Sequence, residues 1–317
     1  MQPPSAQSVH SFASSSVLWG RRDQCLVIYD FDDTIFPTSW MCTNVPEQMT
    51  LAGPTGESLE HISRPLEILA EKVHTMLQAT LGVAEVVFIT NSKQGWVESC
   101  IRHFVPELTE PFQSIKVIYA RNVFEKSGKA TSVGAPVLDA ESDDFDLSLL
   151  TMAWKVEAMK TALLEFYGER SWKNIISIGD SFDELRALQE VTFLHENPQS
   201  AKTGSQKPMR AKAIKMLQNP TVHELVAQVS ALTHFIPAIV GLDGDIEIQV
   251  ELNQAMVMQY CMNEMSAHSW FSKGEAWSEQ FEATLDDPQA LLSEGSLYKL
   301  SRGMVADGSG GLPNVQE

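Results

Sequence analysis

Apolar residues fall along this chain in two kinds of run. Short blocks without helical period alternate with longer stretches whose apolar positions recur at helical spacing. Cys25-Leu26-Val27-Ile28-Tyr29 is the first block and stops at Asp30. Residues 35–56 follow, rich in Pro and Gly but holding Ile35, Phe36 and Trp40, and read as a flap packed beside the strand end. Leu66, Leu69, Ala70, Val73 and Leu77 predict a helix, with Pro65 in its first turn and Gly82 as its stop. Residues 86–91 predict a second strand. Val97, Cys100, Ile101 and Phe104 predict a helix ending before Pro106, and residues 115–120 a third strand. Residues 122–147 read as a long loop. A helix is expected from about Asp146 to Tyr167, with Met152, Val156, Met159, Leu163 and Phe166 inward. Residues 175–180 predict a fourth strand, 183–190 a short helix and Val191–Leu194 a fifth strand. Such alternation predicts an α/β fold, a mostly parallel five-stranded sheet with helices on both faces.

Beyond a polar loop at 197–208, Ala211–Leu217 reads as an added strand. Thr221 and Glu224 form a capping box that opens a helix through Val222, Leu225, Val229 and Leu232. Ile246, Ile248, Val250 and Leu252 alternate with polar residues as in a half-exposed strand. The expected division is therefore a flexible leader (1–22), a core (23–196), an extension that packs on the core (197–252) and an acidic, partly disordered tail (253–317).

Composition narrows the function classes. The chain has 317 residues, 44% of them hydrophobic, and a net charge of −18. That charge argues against broad binding to nucleic acid or to an anionic membrane; a nucleic-acid role would need a basic groove from Lys202, Lys207, Arg210, Lys212 and Lys215. No apolar stretch reads as long enough to span a bilayer. Cys25, Cys42, Cys100 and Cys261 lack metal-ligand or disulfide-framework spacing, so reduced thiols and a cytoplasmic location are the simplest account. The leader contains no acidic residue before Asp23, as in a transit peptide, but lacks the repeated arginines of one.

The candidate chemistry begins where the first block ends, at Asp30-Phe31-Asp32-Asp33-Thr34. A strand this apolar belongs in the middle of a covered sheet, and carboxylates at its C-terminal end lie where open α/β sheets take ligands. Like-charge repulsion opposes such crowding. A cation would relieve it, and hard oxygen donors favour Mg²⁺. Alone, the stretch is also an ordinary acidic turn. Three further sites follow in order: Thr90-Asn91 after the second strand, Lys155 on the long helix, and Gly179-Asp180 after the fourth strand with Glu184 beyond.

These four sites resemble the motifs of the haloacid dehalogenase superfamily of phosphohydrolases, over about residues 24–196. The resemblance implies a Rossmann-like three-layer α/β/α sandwich and a Mg²⁺-dependent phosphatase that works through an aspartyl-phosphate. Asp30 would attack phosphorus. Asp32 would protonate the leaving oxygen and then activate water. Thr90, Asn91 and Lys155 would hold the phosphoryl group. Asp30, the Asp32 backbone carbonyl and Asp180 would hold the metal, with Glu184 as an outer ligand. Lys155 lies off the apolar stripe of its helix, which suggests the rim of the site; Lys160 is its near alternative, and Asp183 competes with Glu184. Family members often carry a cap domain. Both insertion points here are short or loop-like, so the expectation is little or no cap and an open site, suited to a phosphorylated protein as well as a small molecule. The competing reading is a non-catalytic binding or scaffold protein of the same fold.

Overall fold

The structure is a computed structural model. It describes residues 20–45, 60–128, 143–199, 204 and 207–250. The expected tail, nearly all of the leader, the second half of the flap and the middle of the 122–147 segment lie outside the described residues.

Six parallel strands form one sheet: β1 (Cys25–Tyr29), β2 (Glu85–Thr90), β3 (Lys116–Tyr119), β4 (Asn174–Gly179), β5 (Arg210–Lys215) and β6 (Ile246–Gln249). Their order is β3-β2-β1-β4-β5-β6. The chain thus builds outward from β1 to one edge, returns to β4 on the other side of β1, and builds to the opposite edge. The reversal lies between β1 and β4, the place where such sheets open a ligand crevice.

The helices are α1 (Thr38–Asn44), α2 (Glu60–Val83), α3 (Trp96–Phe104), α4 (Thr109–Gln113), α5 (Ala120–Lys126), α6 (Asp143–Tyr167), α7 (Phe182–Phe193) and α8 (Val222–Gly241). Strand side chains alternate between faces and so feed two cores. Val27, Tyr29 and Phe88 pack with Leu69 and Val73 of α2 and Val226 and Val229 of α8. Leu26, Ile28 and Ile89 pack with Met159 and Leu163 of α6 and Leu188 of α7. The result is a three-layer α/β/α arrangement of Rossmann type.

Several boundaries differ from the sequence expectation. Val191–Leu194 is not a strand; α7 runs through it, and the sheet has six strands rather than five. A capping box between Ser181 and Glu184 starts that helix, and Leu185, Leu188 and Val191 keep helical spacing toward the core. Phe193 and Leu194 are left 88% and 70% exposed. So short an apolar run cannot by itself separate strand from helix. The fifth strand is β5, directly beside β4, and the 197–252 block supplies two strands to the sheet. Pro65 lies inside α2 rather than in its first turn, and Gly82 falls within the helix rather than after it. Ala120, expected to end the third strand, and residues 122–126, read as the start of the long loop, belong to α5. α8 meets the length and hydropathy of a membrane span, with 20 residues and mean hydropathy 1.3. It serves here as a core helix: Val222, Leu225, Val226, Val229 and Ile236 are buried.

Lys212 shows how β5 and α8 are joined. Its buried Nζ donates to the carbonyls of Ile239 (2.6 Å), Val240 (3.3 Å) and Leu242 (2.7 Å). Burial pushes its pKa down to about 8, and the last carbonyls of a helix are natural partners for a cation. With Lys212 buried and Arg210 paired to Asp243 at 2.9 Å, these two do not offer free charge to the basic groove that a nucleic-acid role would need, and Lys202 lies outside the described residues. Lys212→Met keeps the stem but strips these carbonyls of their donor. It should cost about 1–3 kcal/mol in chemical denaturation, the usual penalty for an orphaned buried acceptor; a wild-type midpoint would mean that the ammonium contributes nothing.

Candidate functional site

β1 delivers Asp30 to the centre of the crevice, where its backbone N–H donates to the Ile178 carbonyl of β4 at 2.9 Å. The chain then turns sharply. The N–H groups of Ile35 and Phe36 return to the Phe31 carbonyl at 2.9 and 3.0 Å, and that of Asp33 to the Phe36 carbonyl at 2.7 Å. Asp33 takes φ 54, a left-handed conformation for which Asp is among the more tolerant residues. Phe31 and Phe36 anchor the turn, stacked at 5.8 Å between ring centroids. Asp33 caps the start of α1, accepting from Ser39 N at 2.9 Å and from its hydroxyl at 2.5 Å.

Lys155 is not at the rim. It is 2% exposed, and its Nζ reaches Asp30 Oδ1 at 2.5 Å, the Ile89 carbonyl at 2.8 Å and Glu184 Oε1 at 2.9 Å. Three donors thus meet three acceptors. Burial works against the ammonium, but Asp30 and Glu184 outweigh it and raise its pKa. Lys160 is exposed. Asp183, the alternative to Glu184, accepts instead from Thr151 Oγ1 at 2.9 Å.

Glu184 is shared between two tasks. Oε1 faces Lys155, while Oε2 accepts from Ser181 N at 3.1 Å and Ser181 Oγ at 2.6 Å to close the capping box of α7. Burial acts to raise its pKa, yet Lys155 and Ser181 hold it below the usual value. Its side chain lies across Gly179, where a Cβ would stand 2.4 Å from Glu184 Cγ. Position 179 is glycine for that reason.

Asp180 follows on the open side. No side chain of a described residue hydrogen-bonds it, and burial together with the charges of Glu184 and Asp33 pushes its pKa up to about 8. Two acids, Asp30 and Glu184, thus bond the single lysine, and Asp180 and Asp32 add negative charge around Asp30. Among the described residues, no three His, Cys, Asp or Glu side chains converge as a ready-made metal cluster. The carboxylates of Asp30 and Asp180 are the ones open to a cation.

Asp32 has a different environment. Its Oδ1 accepts from Thr38 Oγ1 (2.6 Å) and Trp96 Nε1 (2.8 Å), and its Oδ2 from Thr90 Oγ1 (2.9 Å) and Ser92 Oγ (2.7 Å). Thr90 thus points at Asp32 and also accepts from Ser92 N at 3.0 Å. Asn91 Nδ2 makes only a long contact, 3.4 Å, to the Thr151 carbonyl. On the loops after β1 and β2, the buried atoms Thr34 Oγ1 and Asn91 Oδ1 have no hydrogen-bond partner among the described residues, a condition that a ligand in the crevice would relieve. Thr38, Ser92 and Trp96 were not singled out from sequence. The one available signal was Trp96, since a part-buried indole N–H seeks an acceptor.

Comparison of the chain with family models, with curated proteins and with solved structures returned no match.

Gly179→Ala tests the seat of Glu184. Overpacking at this contact should cost about 1–3 kcal/mol in chemical denaturation. Unchanged stability would show that Glu184 is free to leave Gly179.

Proposed function

We propose that the chain is a phosphohydrolase of the haloacid dehalogenase type, cleaving phosphate monoesters through an aspartyl-phosphate. The observation that supports this most is the junction at Lys155. Residues far apart in sequence, Asp30, Lys155 and Glu184, meet in one buried contact at the reversal point of the sheet.

The donor set suits Mg²⁺. Asp30, Asp180 and the Asp32 backbone carbonyl would hold it, all hard oxygens, and the local excess of acids over Lys155 calls for a cation. Magnesium usually takes only one or two carboxylates and keeps waters, so three convergent side chains are not required. When bound, it would offset charge on the transferring phosphoryl group.

The chain's own residues divide the rest. Lys155 holds Asp30 Oδ1, which leaves Oδ2 as the attacking oxygen. Oδ2 bonds to phosphorus as the bond from phosphorus to the leaving oxygen breaks. Asp32 gives that oxygen a proton. It then takes a proton from the water that attacks phosphorus, releasing phosphate and restoring Asp30. Thr38, Thr90, Ser92 and Trp96 orient Asp32 for both transfers. Thr90, engaged with Asp32, acts on the phosphoryl oxygens only by exchanging that bond.

Hydrolysis of a generic aryl phosphate with and without Mg²⁺ is the direct test. Asp30→Asn keeps the shape and removes the nucleophile, and should lower kcat by about 10³-fold or more. A folded wild type with no turnover, and no Mg²⁺ uptake by calorimetry, would replace this reading with a non-catalytic binding module.

Trp96→Phe removes one of four donors to Asp32. It should lower kcat about tenfold while KM stays near wild type, since one hydrogen bond to a charged group is worth about 1.5 kcal/mol. A rise in KM alone would assign Trp96 to substrate binding instead.

A further inference from the structure

Phe182 opens α7 immediately after Asp180-Ser181 and is 43% exposed. Two cations lie against its ring, Lys215 Nζ at 4.9 Å and Arg186 Cζ at 5.8 Å from the centroid. Lys215 ends β5 in register with Gly179, so it stands one strand spacing, about 5 Å, from the chain that carries Asp180. Its Nζ donates to the Met216 carbonyl at 3.2 Å. Neither Lys215 nor Arg186 pairs with a carboxylate among the described residues. Cations without a salt-bridge partner among the described residues, of which Arg186 acts on Asp183 only at longer range, form at the mouth of an acidic crevice a site of selective charge complementarity in a chain of net charge −18.

Arg186 also belongs to a groove of about 620 Å³, walled further by Gln189, Phe193, Met209, Ala211 and Asp245. The exposed stripe of α7 thus runs from the mouth at Phe182 to Phe193, which is 88% exposed. At the helical rise this is about 16 Å, the reach of about five residues of extended chain. A small phosphomonoester would fill the mouth and leave the groove bare. A nucleic-acid strand would carry its phosphates past Glu190 and Asp245 at the far end.

We propose that this lip and groove form a docking site for a phosphorylated protein segment. An acidic side chain next to the phosphorylated residue meets Lys215 and Arg186. An apolar side chain about five residues away packs on Phe193 and Met209. The proposal rests on the phosphatase reading for where the phosphate sits.

The test uses the full chain and three phosphopeptides: one with the acid beside the phosphoresidue and an apolar residue five places on, one with these two exchanged, and one with a neutral amide for the acid. The first two have equal charge, so general attraction cancels between them. The wild type should prefer the first by about tenfold in kcat/KM, and Arg186→Gln with Lys215→Met should bring the ratio to about one, with Lys215→Arg restoring it. Fluorescence anisotropy on the same peptides gives an independent readout. If no peptide or aryl phosphate turns over, the phosphatase reading fails, yet the first peptide should still bind about tenfold more tightly than the second. Equal handling of the first two peptides by the wild type, in both turnover and binding, overturns the docking site.

Discussion

The buried ammonium of Lys155 is the constraint on which the site depends. An unpaired charge at 2% exposure would be intolerable, so the fold must bring it acceptors. It does so from three directions: Asp30 after β1, the last carbonyls of β2 at Ile89, and Glu184 from α7. One side chain thereby fixes the relative height of two strands and two helices. Breaking such a pair commonly costs about 3–5 kcal/mol because it strands a buried charge. The same contact aligns Asp30 and frees only one of its oxygens. Stability and site geometry are therefore one problem here, not two.

How much of this was legible in the sequence varies with the kind of signal. The apolar blocks at β1, β2 and β4 and the capping box at Thr221 and Glu224 were readable because each rests on local chemistry. The strand expected at Val191–Leu194 was not, because Val191 continues the helical spacing of Leu185 and Leu188 while so short an apolar run cannot by itself separate strand from helix. Glu184 had been considered as an outer metal ligand, and its second task at Ser181 was not read. Lys155 was identifiable but misplaced. A position off the apolar stripe normally means solvent, yet a long cationic stem can cross the core edge when acids await it. Thr38 and Ser92 left no pattern and Trp96 only the weak one of an indole seeking an acceptor, since these loop or helix-start residues converge on Asp32 only once the turn after Asp30 has folded.

Gly179 shows the same economy in reverse. Its missing side chain gives room for Glu184, whose two oxygens then serve α7 and Lys155 separately. Neighbouring Asp180 is left with no side-chain donor among the described residues. Every other acid of the cluster is engaged, Asp30 and Glu184 by the ammonium and Asp32 by four neutral donors. The carboxyl left without a side-chain partner among the described residues is thus Asp180, and burial with the nearby charges of Glu184 and Asp33 pushes its pKa up to about 8. In the proposed function a cation beside Asp180 would favour its ionised form.

The two acids at the end of β1 differ in the charge of what holds them. Asp30 is bonded to an ammonium, so a proton added there would leave Lys155 with a weakened partner in a dry place. Asp32 is bonded by two threonines, a serine and an indole, all neutral. Hydroxyls can turn to accept as well as donate, so three of the four partners of Asp32 are not fixed as donors in the way an ammonium is. Burial pushes the Asp30 carboxyl well above its usual range, so in the proposed reaction Lys155 is the partner that favours its anionic form. The residue that must shuttle a proton is the one tied to rotatable hydroxyls. Two carboxyls, separated by one phenylalanine, are thus prepared for different work by their partners rather than by their own chemistry.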